Sequence, residues 1–525
     1  MSLMTTFEPR SPYSQDELAS LYPKQLQLQL VQVLLRHGER SPVSARFMNA
    51  GLRPYWPYCN AARQLTNVIK ASGDSAQWDN IRWRRRLETF GSDDDPILSS
   101  GPNHELDAIC LPGELTDKGR DTTLALGTRL RNLYVDQLKF MPSLISDSDM
   151  IYLRATPVAR ALESVQQSFW GMYPPTARTA SFPPPTIIVR TAADETLYPN
   201  EGSCRRFAQL SRAFAQRTAE RWNDTDEMAY LNTLISKWMP ESSKRVAVDS
   251  HPRLSGIMDT VNATLAHGPA TRLPAEFYDP KGRAIIDQIG TEEWFSGYAE
   301  SREYRTLGVG ALVGDVVSRM VGSAERGGID RLTKIDGESK EGERGGAGTK
   351  EIKFAMSGCH DTTLAGFLCS LGAFDGEHWP PYTSHIAVEL FRQKDTPPSP
   401  VATDPRLDAA AKTQSRGWWA ALFGAAKSAA PTPDGIGRRT VDELSFAERS
   451  KLDGYFVRLR YNDRVMTVPG CKQSGKHLEG DESFCTLEAF KAIADTFTPK
   501  NWKKQCAANL DESAFPAVVE PAGVL

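Results

Sequence analysis

Residues 30–42 read as an apolar strand that runs straight into polar chemistry. Val31, Val33, Leu34 and Leu35 are apolar and partly β-branched, the pattern of a strand buried on both faces of a parallel sheet. Arg36, His37, Gly38, Glu39 and Arg40 follow without a break, and Ser41-Pro42 stops a helix from starting early. The same strand–loop–helix rhythm recurs twice. Residues 149–153 lead into Arg154-Ala155-Thr156 and a helical run over 161–170. Residues 352–356 deliver Ser357-Gly358-Cys359-His360-Asp361, with a helix from Thr362 towards Leu371. Thr116 is the expected N-cap of another helix, whose apolar stripe is Leu124, Leu126, Leu130, Leu133 and Leu138. Further strands are expected over 186–191, 385–392 and 454–461, and 201–322 is mostly helical in pattern.

Strands alternating with helices predict an α/β core. Its pieces are residues 26–50, 115–200, 351–393 and 446–525, and 51–114 with 201–322 form a cap or helical lobe. Residues 1–25 read as a tail. Residues 323–350, rich in Gly, Glu, Lys and Arg, and 394–445, rich in Pro, Ala and Ser, read as disordered insertions. Arg82-Trp83-Arg84-Arg85-Arg86 is a dense basic run, expected on a solvated helix face rather than on the rim of a cleft for an anion.

The length of 525 residues allows more than one core, and 40% hydrophobic with 24% charged residues is ordinary for a soluble globular protein. A formal net charge of −3 argues against bulk attraction to nucleic acid, so any anion site must be local. No apolar run approaches a membrane span, and the first 25 residues lack the apolar stretch of a secretory signal. Glu8, Asp16 and Glu17 stand where a mitochondrial transit peptide avoids acids. The expectation is an intracellular protein, cytoplasmic or mitochondrial, with a secretory route as the alternative and its eight cysteines reduced by default. No CxxC pair or His/Cys cluster has metal-ligand spacing.

Ligands of open α/β sheets bind beyond the carboxyl ends of the strands. A histidine between two arginines at that place is therefore a candidate nucleophile in a phosphate site, because imidazole attacks and guanidinium forks match phosphate oxygens. Gly38 fits close passage of the backbone by a ligand. The plainer alternative is an exposed basic turn with Arg36 and Arg40 paired to acids.

Arg36-His37-Gly38-Glu39-Arg40-Ser41-Pro42 resembles the RHGxRxP signature of the histidine acid phosphatases, the second branch of the histidine phosphatase superfamily. Leu115-Thr116-Asp117-Lys118-Gly119 resembles the family's LTxxG pattern, Arg154-Ala155-Thr156 through Arg160 its R-[SA]-T-x-x-x-R segment, and His360-Asp361 its HD motif. The resemblance implies a phosphoglycerate mutase-like fold: a three-layer α/β/α core with a mostly parallel mixed sheet, plus a smaller, mainly helical cap. It implies metal-independent, cofactor-free hydrolysis of phosphomonoesters through a phosphohistidine. His37 would be the nucleophile and Asp361 the proton donor, while Arg36, Arg40, Arg154 and His360 would hold the phosphate. Arg160 reads as a structural ion pair. The pKa of Asp361 is expected to rise beside the phosphate anion. The resemblance also implies Cys204–Cys506 and Cys471–Cys485 disulfides, in conflict with reduced thiols.

Within the family, the first strand is most similar to the intracellular lysophosphatidic acid phosphatase type, which suggests a lysophospholipid substrate. A phytase-type inositol phosphate phosphatase is the rival enzyme. A non-catalytic phospholigand-binding protein is the rival outside catalysis. Residues 416–427 hold Trp418, Trp419, Leu422 and Phe423 between Arg416 and Lys427. They are expected either to make a peripheral membrane contact or to pack back on the body. No nucleic acid partner is expected, and the oligomeric state is not legible.

Overall fold

The computed structural model describes residues 3–70, 78–325, 352–394 and 435–524. Strand β1 (Leu26–Arg36) lies inside the sheet. Its alternate side chains enter two different cores, Leu30 and Leu34 one, Val31, Val33 and Leu35 the other. That explains the unbroken apolar run. Two small hairpins follow, β2 (Leu65–Lys70) with β3 (Trp78–Trp83) and β4 (Glu88–Phe90) with β5 (Pro96–Leu98). The later strands are β6 (Ile151–Ala155), β7 (Ile187–Ile188), β8 (Phe354–Cys359), β9 (His385–Gln393), β10 (Tyr455–Tyr461), β11 (Arg464–Met466), β12 (His477–Leu478) and β13 (Asp481–Thr486). The sheet order is β12-β13-β10-β9-β1-β8-β6-β7, with β11 beside β10. The sheet is mixed: β1, β8, β6 and β7 run parallel, and β9 begins the antiparallel flank on the other side of β1.

Helices cover both faces, which makes the core a three-layer α/β/α sandwich. Helices α2 (Asp117–Leu130) and α3 (Ala159–Met172) lie over one face with α1 (Gln15–Leu21) at its edge. Thr116 caps α2 as expected, accepting from Gly119 N. Over the other face lie α4 (Arg205–Trp222), the end of α7 (Pro280–Glu300), the turn α8 (Arg302–Arg305), α9 (Ala311–Glu325), α10 (Asp361–Ser370) and the helix Leu487–Asp495. Helices α5 (Asp226–Ile235) and α6 (Leu254–His267) pack with the first half of α7 and with Phe47, Leu52 and Trp56 in a separate apolar cluster. Residues 201–322 are therefore not one lobe, because α4 and α9 belong to the sheet. The stretch Arg302–Glu325 is long and apolar enough to span a bilayer, and its apolarity is that of a core element, 83% buried.

Several expectations need correction. Residues 3–25, expected as part of a tail, are packed on the body. Thr6 pairs with Tyr382, Phe7 and Tyr13 are buried, and Tyr22 donates to Glu389 Oε1 at 2.6 Å. The basic run lies at the end of an exposed hairpin strand, not on a helix, and Arg85 reaches Glu114 at 2.6 Å. The cysteines are not all reduced. Cys59–Cys110, Cys204–Cys506 and Cys471–Cys485 have Cα atoms 5.1, 4.6 and 5.2 Å apart and are bonded, as the spacing permits. Cys359 and Cys369 are buried thiols. Ordered helix runs to Glu325, and residues 435–445 form two short turns whose Arg438 pairs with Asp315. The remainder of the two expected insertions, with Trp418, Trp419, Leu422 and Phe423, lies outside the described residues.

Candidate active site

Register brings the site together. In the parallel pair β1–β8, Arg36 stands opposite Cys359, so the next residues of each strand, His37 and His360, leave the sheet side by side. His37 N donates to Cys359 O at 3.1 Å, and the two imidazoles lie 5.5 Å apart edge to face. His360 is the N-cap of α10 and Asp361 its first residue.

His37 is buried, and its Nδ1 lies 2.8 Å from Gly38 O. A carbonyl only accepts, so Nδ1 carries the proton and Nε2 keeps its lone pair. Burial, reinforced by Arg160, Arg36, Arg40 and His360, holds the His37 pKa well below the ordinary histidine value. Both effects favour the neutral, nucleophilic form of the ring. Burial and Arg160 likewise depress His360, whose Nε2 sits 3.1 Å from Thr156 Oγ1.

Gly38 passes close to protein backbone rather than to a ligand. A Cβ there would meet Gly119 O at 2.2 Å, and one on Gly119 would meet Glu39 O at 2.2 Å. The signature loop and the start of α2 touch backbone to backbone, which explains both glycines. Glu39, fully buried, fastens the loop by accepting from Thr6 at 2.8 Å and Thr122 at 2.5 Å.

Arg36 Nη2 lies 2.7 Å from Asp361 Oδ2, its Nη1 donates to Pro380 O, and its guanidinium sits 4.2 Å over the Tyr382 ring. Arg40 Nη2 pairs with Asp259 of α6 at 2.5 Å, which ties the cap to the signature loop. Asp361 also accepts from Thr362 N at 2.8 Å and Trp379 Nε1 at 3.1 Å. Burial alone would raise its pKa, but Arg36, Arg40 and His360 outweigh burial and hold it below the usual carboxylate range. The cations that should attract the substrate thus act on the acid as well.

The structure does not bring Arg154 to this cluster. Arg154 stands opposite Ser357 in β6–β8, level with Leu34, so it lies two residues behind the level of Arg36. Its guanidinium is buried against Glu195 at 2.5 Å and Asp315 at 3.7 Å. Arg160 is there instead. It is the strongest cationic influence on both imidazoles, its own pKa is pushed down to about 10 by burial and by Arg40, and among the described residues its buried Nε has no partner. Among the described residues its one hydrogen bond is a long one, 3.5 Å to Gly113 O. The repeated arginine of the R-x-T-x-x-x-R segment was the available sequence signal, and its second member is the one that reaches the site.

Beyond Asp361 a cleft of about 240 Å³ opens between core and cap. Val43, Met258, Trp294 and Trp379 give it apolar walls, with Arg46 as an outer cation. Among the described residues no cluster of His, Cys, Asp and Glu has the arrangement of a metal site.

A model of the histidine phosphatase superfamily (branch 2) matches residues 27–260. A probable acid phosphatase of Schizosaccharomyces pombe is 33% identical over 494 residues, covering 92% of this chain and 95% of the relative. Lysophosphatidic acid phosphatase type 6 of Homo sapiens is 25% identical over 381 residues, covering 71% of this chain and 75% of the relative. Among solved structures, a Hafnia alvei phytase in complex with tartrate aligns over 96% of this chain and 100% of its own at 11% identity and a TM-score of 0.48, too loose a likeness to argue from.

Proposed function

The chain belongs to the histidine phosphatase superfamily (branch 2) and is an acid phosphatase acting on phosphate esters, and we propose that it works through a phosphohistidine on His37. The observation that carries this reading is the His37 tautomer, a buried neutral ring with Nε2 available among Arg40, Arg160 and His360. Nε2 attacks phosphorus, the P–O bond to the alcohol breaks, and Asp361 gives its proton to the leaving oxygen. Water then attacks the phosphohistidine, its proton passes to Asp361, and the P–N bond breaks to release phosphate. Arg40, Arg160 and His360 stabilise the phosphoryl oxygens, and Arg36 links that cluster to Asp361. The incoming anion offsets the cations that depress Asp361, which favours the protonated acid that the first step needs.

Two arginine variants test this assignment of cations. Arg160→Gln is expected to raise the inhibition constant of inorganic phosphate roughly tenfold or more. It also removes the main charge that depresses His37. The His37 pKa then rises, more of the ring is protonated in acid, and the acid limb of kcat/KM moves to higher pH. Arg154→Gln leaves Glu195 buried without its partner and is expected to lower Tm while phosphate inhibition stays near wild type. The opposite pattern would return the phosphate role to Arg154.

We further propose a leaving group with an apolar part, such as the acyl chain of a lysophospholipid. The cleft beside Asp361 has tryptophan, methionine and valine walls and one outer cation, Arg46, itself 3.6 Å from Asp259. An inositol polyphosphate would want many cations there. The name of the human relative supports the same reading. A panel of lysophosphatidate, glycerol phosphate and inositol hexakisphosphate decides it. The expected order of kcat/KM puts lysophosphatidate first, by about tenfold or more, since two or three buried methylenes supply that much. Inositol hexakisphosphate in first place would overturn the proposal.

A further inference from the structure

Tyr382 lies at the centre of the site and has no part in the chemistry described above. It is buried, its ring faces the Arg36 guanidinium at 4.2 Å and the Arg40 guanidinium at 5.9 Å, and its centroid is 6.0 Å from that of His37. With Arg36, Arg40 and Asp361 it lines the cleft. Both of its backbone groups are taken by the first segment of the chain: Tyr382 N donates to Thr5 O at 2.8 Å, and Phe7 N donates to Tyr382 O at 2.8 Å. The same segment sends Thr6 Oγ1 to Glu39 and packs Phe7 edge-on against His385. Ring and backbone are thus fixed from both sides. The hydroxyl is not used: among the described residues Oη is a buried polar atom with no hydrogen-bond partner. Such atoms are uncommon in folded proteins, because an unmade buried hydrogen bond is costly.

We propose that the Tyr382 hydroxyl is a further phosphate-contacting donor, directed at a phosphoryl oxygen of the ester, and that residues 5–7 hold it in place. The inference rests on the phosphatase reading and adds a residue to its phosphate site. An anion held by Arg40 at His37 lies beside the phenol, whose ring is 5.9 Å from the Arg40 guanidinium and 6.0 Å from the His37 ring. Among the described residues the guanidinia of Arg36 and Arg40 also each have a buried Nε with no hydrogen-bond partner, and guanidinium and phenol are both donors that a phosphate accepts from. Burial raises the Tyr382 pKa further above its ordinary value, so the phenol stays protonated and donates at every pH at which the enzyme works.

Tyr382→Phe removes the hydroxyl and leaves the ring under Arg36. In the full-length protein, the inhibition constant of inorganic phosphate is expected to rise roughly tenfold or more, since a hydrogen bond to a charged acceptor is lost. KM for phosphomonoesters should rise with it, by the same factor from acid to neutral pH. That flat profile separates this loss from the pH-shifting loss expected of Arg160→Gln. Phe7→Pro, which deletes the N–H given to Tyr382 O, should move phosphate inhibition in the same direction. The increase in Tm on adding phosphate gives a second reading that does not depend on the variants' own stability, because a ligand stabilises in proportion to its binding. That increase should shrink in both. Hydrolysis of phosphomonoesters by the wild-type protein tests the underlying reading separately. An active wild type, with Tyr382→Phe phosphate inhibition and Tm response within twofold of it, would overturn this inference alone.

Discussion

His37→Ala is expected to lower kcat by about four orders of magnitude or more, the scale seen when a covalent nucleophile is removed. No other described side chain can take over the attack. His360 is the nearest imidazole, but its Nε2 faces Thr156 at 3.1 Å and it caps α10. Cys359 is a buried thiol whose Sγ points at Leu35 O and whose pKa burial pushes up to about 12. A phosphoenzyme trapped from wild-type protein with labelled substrate should be acid-labile and alkali-stable, as phosphoramidates are, and absent from the variant. The substitution also removes a buried ring, so a loss of stability of about 1–3 kcal/mol is expected. Circular dichroism and Tm distinguish that loss from the chemical one. A variant that keeps most of its kcat, or still forms the same phosphoenzyme, would remove His37 from the nucleophile's role.

The part of the site legible in the sequence is the part set by strand ends. A strand that ends in Arg36-His37 and another that ends in Cys359-His360 must deliver their imidazoles together once they pair in parallel, and the register of β1 and β8 does this. Arg154 shows where that reasoning stops. It looked like the terminal residue of its strand, but β6 continues to Ala155 and pairs so that Arg154 lies level with Leu34. A register shift of two residues is invisible to composition and moves a cation from the site into a buried ion cluster. Gly38 was legible as a close approach, but not what it approached, because Gly119 lies 81 residues further along the chain in a different element. The segment at residues 3–7 carried no periodic signal, since its order comes from single partners on Tyr382, Glu39 and Arg283 rather than from an apolar face. The expectation of reduced thiols failed for a similar reason, because Cys59 and Cys110 meet only through the folding of a long loop.

Helices α6 and α7 each reach the site through a carboxylate: Asp287 of α7 accepts from Trp379 N at 3.0 Å, and Trp379 Nε1 donates to Asp361. Asp259 on α6 holds Arg40 at 2.5 Å and approaches Arg46 at 3.6 Å. The charge that positions the inner cation therefore also sets the outer one at the mouth of the cleft.

Asp361→Asn is expected to separate substrates by their leaving groups. An alkoxide is a strong base and cannot depart without a proton, so alkyl phosphates should lose about 10²- to 10⁴-fold in kcat. A nitrophenolate leaves unaided, so formation of the phosphoenzyme from nitrophenyl phosphate should fall by about tenfold or less. The second half of the reaction still needs a base for water, and asparagine provides none. The phosphohistidine should therefore accumulate with the aryl substrate, giving a rapid burst of nitrophenol followed by slow turnover. Thr362 N and Trp379 Nε1 bond different oxygens of Asp361, so asparagine keeps an acceptor for one of them and removes the negative charge that lies 2.7 Å from Arg36. Inorganic phosphate should bind the variant more tightly than wild type, since the released guanidinium is free for the anion. Stopped-flow measurement on both substrate types reads all three effects. Equal losses for alkyl and aryl esters, with no burst, would take the proton-donor role away from Asp361.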